Sequence, residues 1–139
     1  MPRQAELTRL NVAAGILVDA EGRVLVAERL GDGAFHGMWE FPGGKIHDGE
    51  TAEGALVREL AEEIGVENGQ FESFMRLEHE YPDRHVTIEF FLVSGWRNEP
   101  EGREGQGLRW VRVAELDEVD LLPADEPVVA ALKRGISRY

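Results

Sequence analysis

Residues 11–29, "NVAAGILVDAEGRVLVAER", hold two runs of aliphatic and β-branched residues on either side of a polar turn at Glu21-Gly22. Runs of this kind bounded by turn residues predict two strands joined as a hairpin. The pattern then breaks. Residues 30–44, "LGDGAFHGMWEFPGG", carry five glycines and one proline, which predicts a loop with a short extended piece near Trp39 and Phe41. From residue 51 to 64 the period lengthens to that of a helix, with Thr51 as its N-cap and Gly65 as the left-handed residue that ends it. At about 100° per residue, Leu56, Leu60, Ile64, Val57 and Ala61 form an apolar stripe. Glu59, Glu62 and Glu63 fall on a separate face, beside Ala52 and Ala55.

Alternation returns in "FESFMRLEHEY" and "HVTIEFFLVSGW", predicted strands either side of the turn "PDR", and in "LRWVRV". A second helix over about residues 126–133 follows "LLPAD", with Asp125 as its N-cap and Gly135 just past its end. Residues 1–139 are therefore expected to form one domain, of a size that buries a single core. Its predicted class is α/β (α+β), a mixed β-sheet sandwiched between α-helices.

Charge narrows the partners. Twenty-seven acidic against fifteen basic side chains give a formal charge of −12, which argues against binding a nucleic-acid polymer through its phosphates. The apolar run "VAAGILV" is far short of a membrane span, so a soluble chain without membrane contact is expected. There is no cysteine, which removes disulfides, thiolate metal sites and cysteine nucleophiles and suits the cytoplasm. The four histidines, His36, His47, His79 and His85, lack metal-ligand spacing. Phe90 and Phe91 are expected in the core.

Like charges at i, i+3 and i+4 repel by a few tenths of a kcal/mol per pair, so Glu59, Glu62 and Glu63 are locally costly. Alone they would most often be a solvated acidic face; a hard cation such as Mg²⁺, which prefers carboxylate oxygen, reverses the sign. The surrounding spacing decides between these. Gly44, Glu50, Arg58-Glu59-Leu60, Glu62-Glu63 and Gly65-Val66 match every position of the Nudix box, G-x5-E-x7-R-E-U-x-E-E-x-G-U. A chance match is on the order of one in a billion per starting position.

The chain thus resembles the Nudix hydrolases, which cleave nucleoside diphosphates linked to a further moiety with Mg²⁺ or Mn²⁺. The resemblance implies Glu59, Glu62 and Glu63 as metal ligands with the carbonyl of Gly43, Glu59 being alternatively the general base. It makes Gly44, Glu50, Arg58 and Gly65 structural, Arg58 orienting the carboxylates. "WEFPGGK", "YPDRH", "EGREGQ" and "LLPADEPVVAALKR" are similar, in the same order, to segments of the MutT-type branch, which removes 8-oxo-dGTP from the nucleotide pool. That likeness adds Glu104 as a ligand and catalytic residue.

The expected partner is a nucleoside triphosphate, bound by a monomer or weak dimer. Arg29, Lys45 and Arg84 are its candidate cations, and Phe41 and Tyr81 the candidate pocket walls. Attack by water at the β-phosphorus would give the monophosphate and pyrophosphate. The branch reads the oxidised purine with an asparagine before "EP"; here the residue is Asp125. An ionised aspartate only accepts hydrogen bonds, so it must be protonated or water-bridged to meet O6. Otherwise it suits the amine of cytosine, as in the related CTP and modified-dCTP pyrophosphohydrolases. A Nudix domain that senses nucleotides without catalysis is the remaining alternative, disfavoured by the intact box.

Overall fold

The computed structural model describes residues 8–31, 33 and 35–135. Their order is β1 (Thr8–Leu17), β2 (Arg23–Glu28), β3 (Trp39–Glu40), β4 (Gly43–Lys45), α1 (Ala52–Ile64), β5 (Gln70–Tyr81), β6 (Arg84–Ser94), β7 (Leu108–Arg112) and α2 (Glu126–Gly135). Two 3₁₀ turns, Val113–Glu118 and Pro123–Asp125, precede α2. Strands β4, β1, β6 and β5 form one sheet in that order; β1 runs parallel to β6, and the other two pairings are antiparallel. Strands β3, β2 and β7 form a second, antiparallel sheet.

Alternation along β1 and β6 divides the core into two layers. Ala13, Leu17, Phe91 and Val93 face one way and pack with Leu56, Leu60 and Ile64 of α1. Ala14, Ile16, Phe90 and Leu92 face the other way and pack with Val128, Val129 and Leu132 of α2. The mixed sheet is thus held between helices, as the residue pattern predicts. Burying each of the larger of these side chains, from valine to phenylalanine, contributes about 1.5–3 kcal/mol. At Gly15 a Cβ would press on Val93 Cγ2 of β6 at 3.3 Å and meet Leu56 Cδ1 of α1 in ordinary contact at 3.5 Å.

The predicted β1–β2 hairpin forms its turn without its ladder. Gly22 N–H donates to the Asp19 carbonyl, and the Asp19 carboxylate accepts from the backbone of Glu21 and Arg23. Across the turn, however, Val18 and Val24 make only an isolated bridge. Both strands are central: Ile16, Leu17, Val24, Leu25 and Val26 are all 0% exposed. Strand β1 pairs with β4 and β6 in one sheet and β2 with β3 and β7 in the other, so the two strands part into different sheets after the turn.

Helix α1 keeps its predicted ends. Thr51 Oγ1 accepts from Gly54 N–H at 2.9 Å. Gly65, at φ 71, donates to Ala61, and Val66 N–H reaches back to Leu60. Its buried face differs from the predicted stripe. Val57 is 46% exposed and Ala55 is 0% exposed, because the helix is rolled so that Ala55, Leu56, Leu60 and Ile64 meet the sheet. Glu59 and Glu63 therefore lie along the rim of the buried face, while Glu62 points outward.

Asp125 also departs from expectation. It ends a 3₁₀ turn in which its own N–H donates to Leu122, and its Oδ2 is buried without a hydrogen-bond partner, so its side chain does not serve as the cap. Gly135 is the last residue of α2. Among the described residues no helix is long and apolar enough to cross a membrane.

Candidate active site

The loop from β4 to α1 is tied by Arg58. Its Nε and Nη2 donate to the two oxygens of Glu50 at 2.7 and 2.8 Å, Nη1 donates to Glu59 at 2.8 Å, and Nη2 also reaches the Lys45 carbonyl. Glu50 in turn accepts from His47 N–H. Bonds from the guanidinium hold the Glu50 carboxyl down at about 2 and raise the pKa of Arg58. One cation thus joins the loop, the helix and one of the three helical glutamates of the box. Gly44 lies directly opposite: a Cβ on it would come within 2.4 Å of the Glu59 carboxyl carbon, so the backbone can approach this carboxylate only as glycine.

Glu63 is held in the same place from the other side. Burial, then the negative charges of Glu59 and Glu104, push its pKa up to about 8, against a hydrogen bond from Gly43 N–H. It lines a cavity of about 250 Å³ with Glu104, Gln106, Gly43, Arg29 and Glu40. Glu62, whose side chain is 59% exposed, stays 3.7 Å from Arg58. No group of three or more His, Asp or Glu side chains forms a preassembled metal cluster among the described residues. Glu59, Glu63 and Glu104 are nonetheless near enough to raise the cost of ionising Glu63. Mutually repelling carboxylates of this kind suit a hard divalent cation.

A second cavity, of about 240 Å³, adjoins the first. It is lined by all six residues that the sequence nominates for substrate: Arg29, Phe41, Lys45, Tyr81, Arg84 and Asp125. The rest of its wall is largely apolar and includes Leu10, Val12, Val86, Ile88 and Phe90. Arg29, Glu40 and Gly43 line both cavities. Arg29 Nη1 and Glu40 Oε1, 3.1 Å apart, form an ion pair at this junction. Burial raises the pKa of Glu40, opposed by Arg29.

Asp125 is 4% exposed and the one polar side chain in the core of the described residues. Burial, reinforced by Glu40, pushes its carboxyl up to about 8. Tyr81 is linked to the same turn through the Ala124 backbone, makes tilted ring contacts with His79 at 4.5 Å and Phe35 at 5.4 Å, and lies under the Arg84 guanidinium. Arg84 Nε is buried without a hydrogen bond; its nearest acid, Asp83, is 3.9 Å away. Phe90 and Phe91 are core residues, as predicted.

Sequence reasoning missed Glu40, Phe35 and Gln106. Glu40 lies inside the quoted "WEFPGGK", yet its significance is its burial beside Arg29, which no local pattern reveals. Phe35 was hidden in the glycine-rich loop. Gln106 closes "REGQ" and bridges Glu104 to α1.

Two joined cavities, one acidic and rimmed by the box helix, one apolar with cations in its wall, define the class. The chain belongs to the Nudix family: the NUDIX domain matches residues 13–131. It is 44% identical over 128 residues to the 8-oxo-dGTP diphosphatase of Escherichia coli (strain K12), covering 92% of this chain and 99% of that one. A solved MutT structure, from work on Aliivibrio salmonicida and Vibrio cholerae, superposes with a TM-score of 0.79 at 33% identity, covering 95% of this chain and all of that one. The CTP pyrophosphohydrolase of Escherichia coli (strain K12) is 33% identical over 122 residues, covering 88% of this chain and 90% of that protein.

Proposed function

We propose that the chain is a MutT-type hydrolase that converts 8-oxo-dGTP, and dGTP more slowly, to the monophosphate and pyrophosphate, clearing oxidised guanine from the cytoplasmic nucleotide pool. One observation carries the base assignment. Among the described residues, the two buried side-chain atoms without a hydrogen-bond partner, Arg84 Nε and Asp125 Oδ2, both belong to residues lining the apolar cavity. Leaving such groups unmet costs about 1–3 kcal/mol each, a cost that a ligand with complementary edges removes.

The raised pKa of Asp125 resolves the difficulty its charge presents. Near pH 7 a carboxyl titrating at about 8 is mostly protonated. Its O–H can donate to O6 while its carbonyl accepts the N7 hydrogen that 8-oxoguanine carries and guanine lacks. The acid then presents the donor and acceptor of an asparagine. An ionised carboxylate, acceptor on both oxygens, would suit cytosine instead, and burial beside Glu40 opposes that state. With the base in the apolar cavity, the sugar passes the Arg29–Glu40 pair and the phosphates reach the acidic cavity. Arg29, Arg84 and Lys45 supply the positive charge that the acidic chain otherwise lacks, and Phe41 and Tyr81 wall the base.

Mg²⁺, or Mn²⁺, fits the donor set of Glu59, Glu62, Glu63, Glu104 and the Gly43 carbonyl. A bound ion of this kind neutralises phosphate charge and acidifies the attacking water. Arg58 fixes the direction of Glu59, and a glutamate of the box takes up the proton released as water attacks.

The test is kcat/KM with Mg²⁺ for 8-oxo-dGTP, dGTP, CTP and 5-methyl-dCTP under one set of conditions. The expected result is a preference for 8-oxo-dGTP over dGTP by at least about a hundredfold, since an unmet buried polar pair is a strong discriminator. Cytidine nucleotides as the best substrates would overturn the base assignment. Hydrolysis in ¹⁸O-water should place the label in pyrophosphate; label in the monophosphate would exclude attack at the β-phosphorus.

A further inference from the structure

Helix α1 ends with two adjacent glutamates and no basic residue in its last turn, where the dipole is already negative. The loop before β7 takes up the exposed carbonyls. Glu101 N–H donates to Ile64, Arg103 N–H to Glu63, the Arg103 guanidinium to Ala61, and the Asn98 side chain to Gly65. Gln106 does something different from these caps. Its Oε1 accepts from Glu104 N–H at 2.9 Å and its Nε2 donates to the Glu63 carbonyl at 3.2 Å. Only an amide in this orientation satisfies both ends, because one partner is a donor and the other an acceptor. The loop is shaped around it: a Cβ on Gly102 would stand 2.1 Å from the Gln106 backbone oxygen and 3.1 Å from its Oε1.

We infer that Gln106 is the positioning residue that sets Glu104 against Glu63, so that a carboxylate from a loop and one from a helix 41 positions apart in sequence act on one divalent cation. Both carboxylates line the acidic cavity with Gln106 itself. This rests on the reading of Glu104 as a metal ligand. The bridge acts through backbone atoms of both residues, leaving their carboxylates free to face the ion. Outer contacts of this kind are worth about 10–100-fold in metal affinity.

The experiment measures Mn²⁺ binding to the full chain, without substrate, by titration calorimetry, together with the melting temperature of the metal-free protein. Gln106→Met, equal in length and without the amide, is expected to weaken Mn²⁺ about tenfold. Gln106→Asn, whose amide falls one methylene short, should show the same loss and serves if the methionine variant does not fold. In a Glu104→Gln background, Gln106→Met should change Mn²⁺ affinity by less than about twofold, because the group it positions is gone. Asn98→Ala, which removes only a helix-end bond, should lower the melting temperature and leave Mn²⁺ affinity within about twofold. If Glu104→Gln alone leaves Mn²⁺ binding unchanged, the ligand reading of Glu104 fails and the inference with it. If Glu104→Gln weakens binding but Gln106→Met does not, or the two losses multiply in the double variant, the ligand reading stands and Gln106 is only a structural cap.

Discussion

On the box helix Arg58 hydrogen-bonds Glu50 and Glu59 and keeps Glu50 charged far below the usual carboxylate range. In the apolar cavity Asp125 has no cation bonded to it, and burial drives it toward the neutral acid. Carboxyl groups in these two regions of the molecule thus answer to opposite rules. Where a guanidinium supplies bidentate hydrogen bonds, charge persists and can serve a metal or a proton transfer. Where desolvation is the largest influence, the proton stays and the group becomes a donor as well as an acceptor. Glu40 lies between these extremes, partly buried and paired with Arg29.

The sharpest way to break this comparison is to neutralise one carboxyl in each region. Glu59→Gln should lower kcat by about 10²–10⁴-fold with little change in substrate KM, whereas Asp125→Asn should leave kcat for 8-oxo-dGTP within about tenfold. Steady-state kinetics on both variants decides it. A collapse of kcat in Asp125→Asn with Glu59→Gln nearly unaffected would reverse the proposed roles.

A smaller effect separates the two kinds of charge through stability. The folded-state pKa of Asp125, about 8, lies above its ordinary value of 3.8, so the folded chain holds this proton more tightly than the unfolded one. Its contribution is fully favourable below about pH 4 and is lost as pH rises toward 8. Asparagine carries no such penalty. Asp125→Asn should therefore gain stability relative to the parent between pH 5 and 8, by an amount on the order of a few kcal/mol at the upper end. Urea denaturation at both pH values measures it, and a pH-independent difference would mean that Asp125 is ionised throughout.

The smallest effect has the opposite sign. Glu50 titrates at about 2 in the folded chain against 4.5 ordinarily, so its contribution is present above about pH 4.5 and lost as pH falls toward 2. Arg58→Met should flatten that acid limb. Thermal melts from pH 5 to 2.5 would detect the change, and an unaltered slope would show that the Arg58–Glu50 bonds do not govern it.

The box helix, its caps, its glutamates and the sheet class were legible along the chain because each depends on local period, end residues or fixed spacing. Thr51 and Gly65 act through groups a few positions away, and a motif with many fixed positions hardly arises by chance. The β1–β2 hairpin misled for the complementary reason. Its turn is local, but the partners of each strand lie elsewhere in the sequence, from β4 and β6 on one side to β3 and β7 on the other. The roll of α1, which exposes Val57 and buries Ala55, was set by the sheet it packs on.

From sequence alone the family, the metal-binding candidates and the substrate candidates could be named, because the residue types and their spacing carry that chemistry. Tertiary structure decided what surrounds them. It brought Arg84 and Asp125, 41 residues apart, to one cavity with unmet polar atoms, and it set Glu40 beside Arg29 where the cavities meet. It also buried the Asp125 carboxyl, which pushes its pKa up, and left its Oδ2 without a hydrogen-bond partner instead of capping the helix. Protonation follows from desolvation and the field of distant neighbours, and neither exists until the chain has folded.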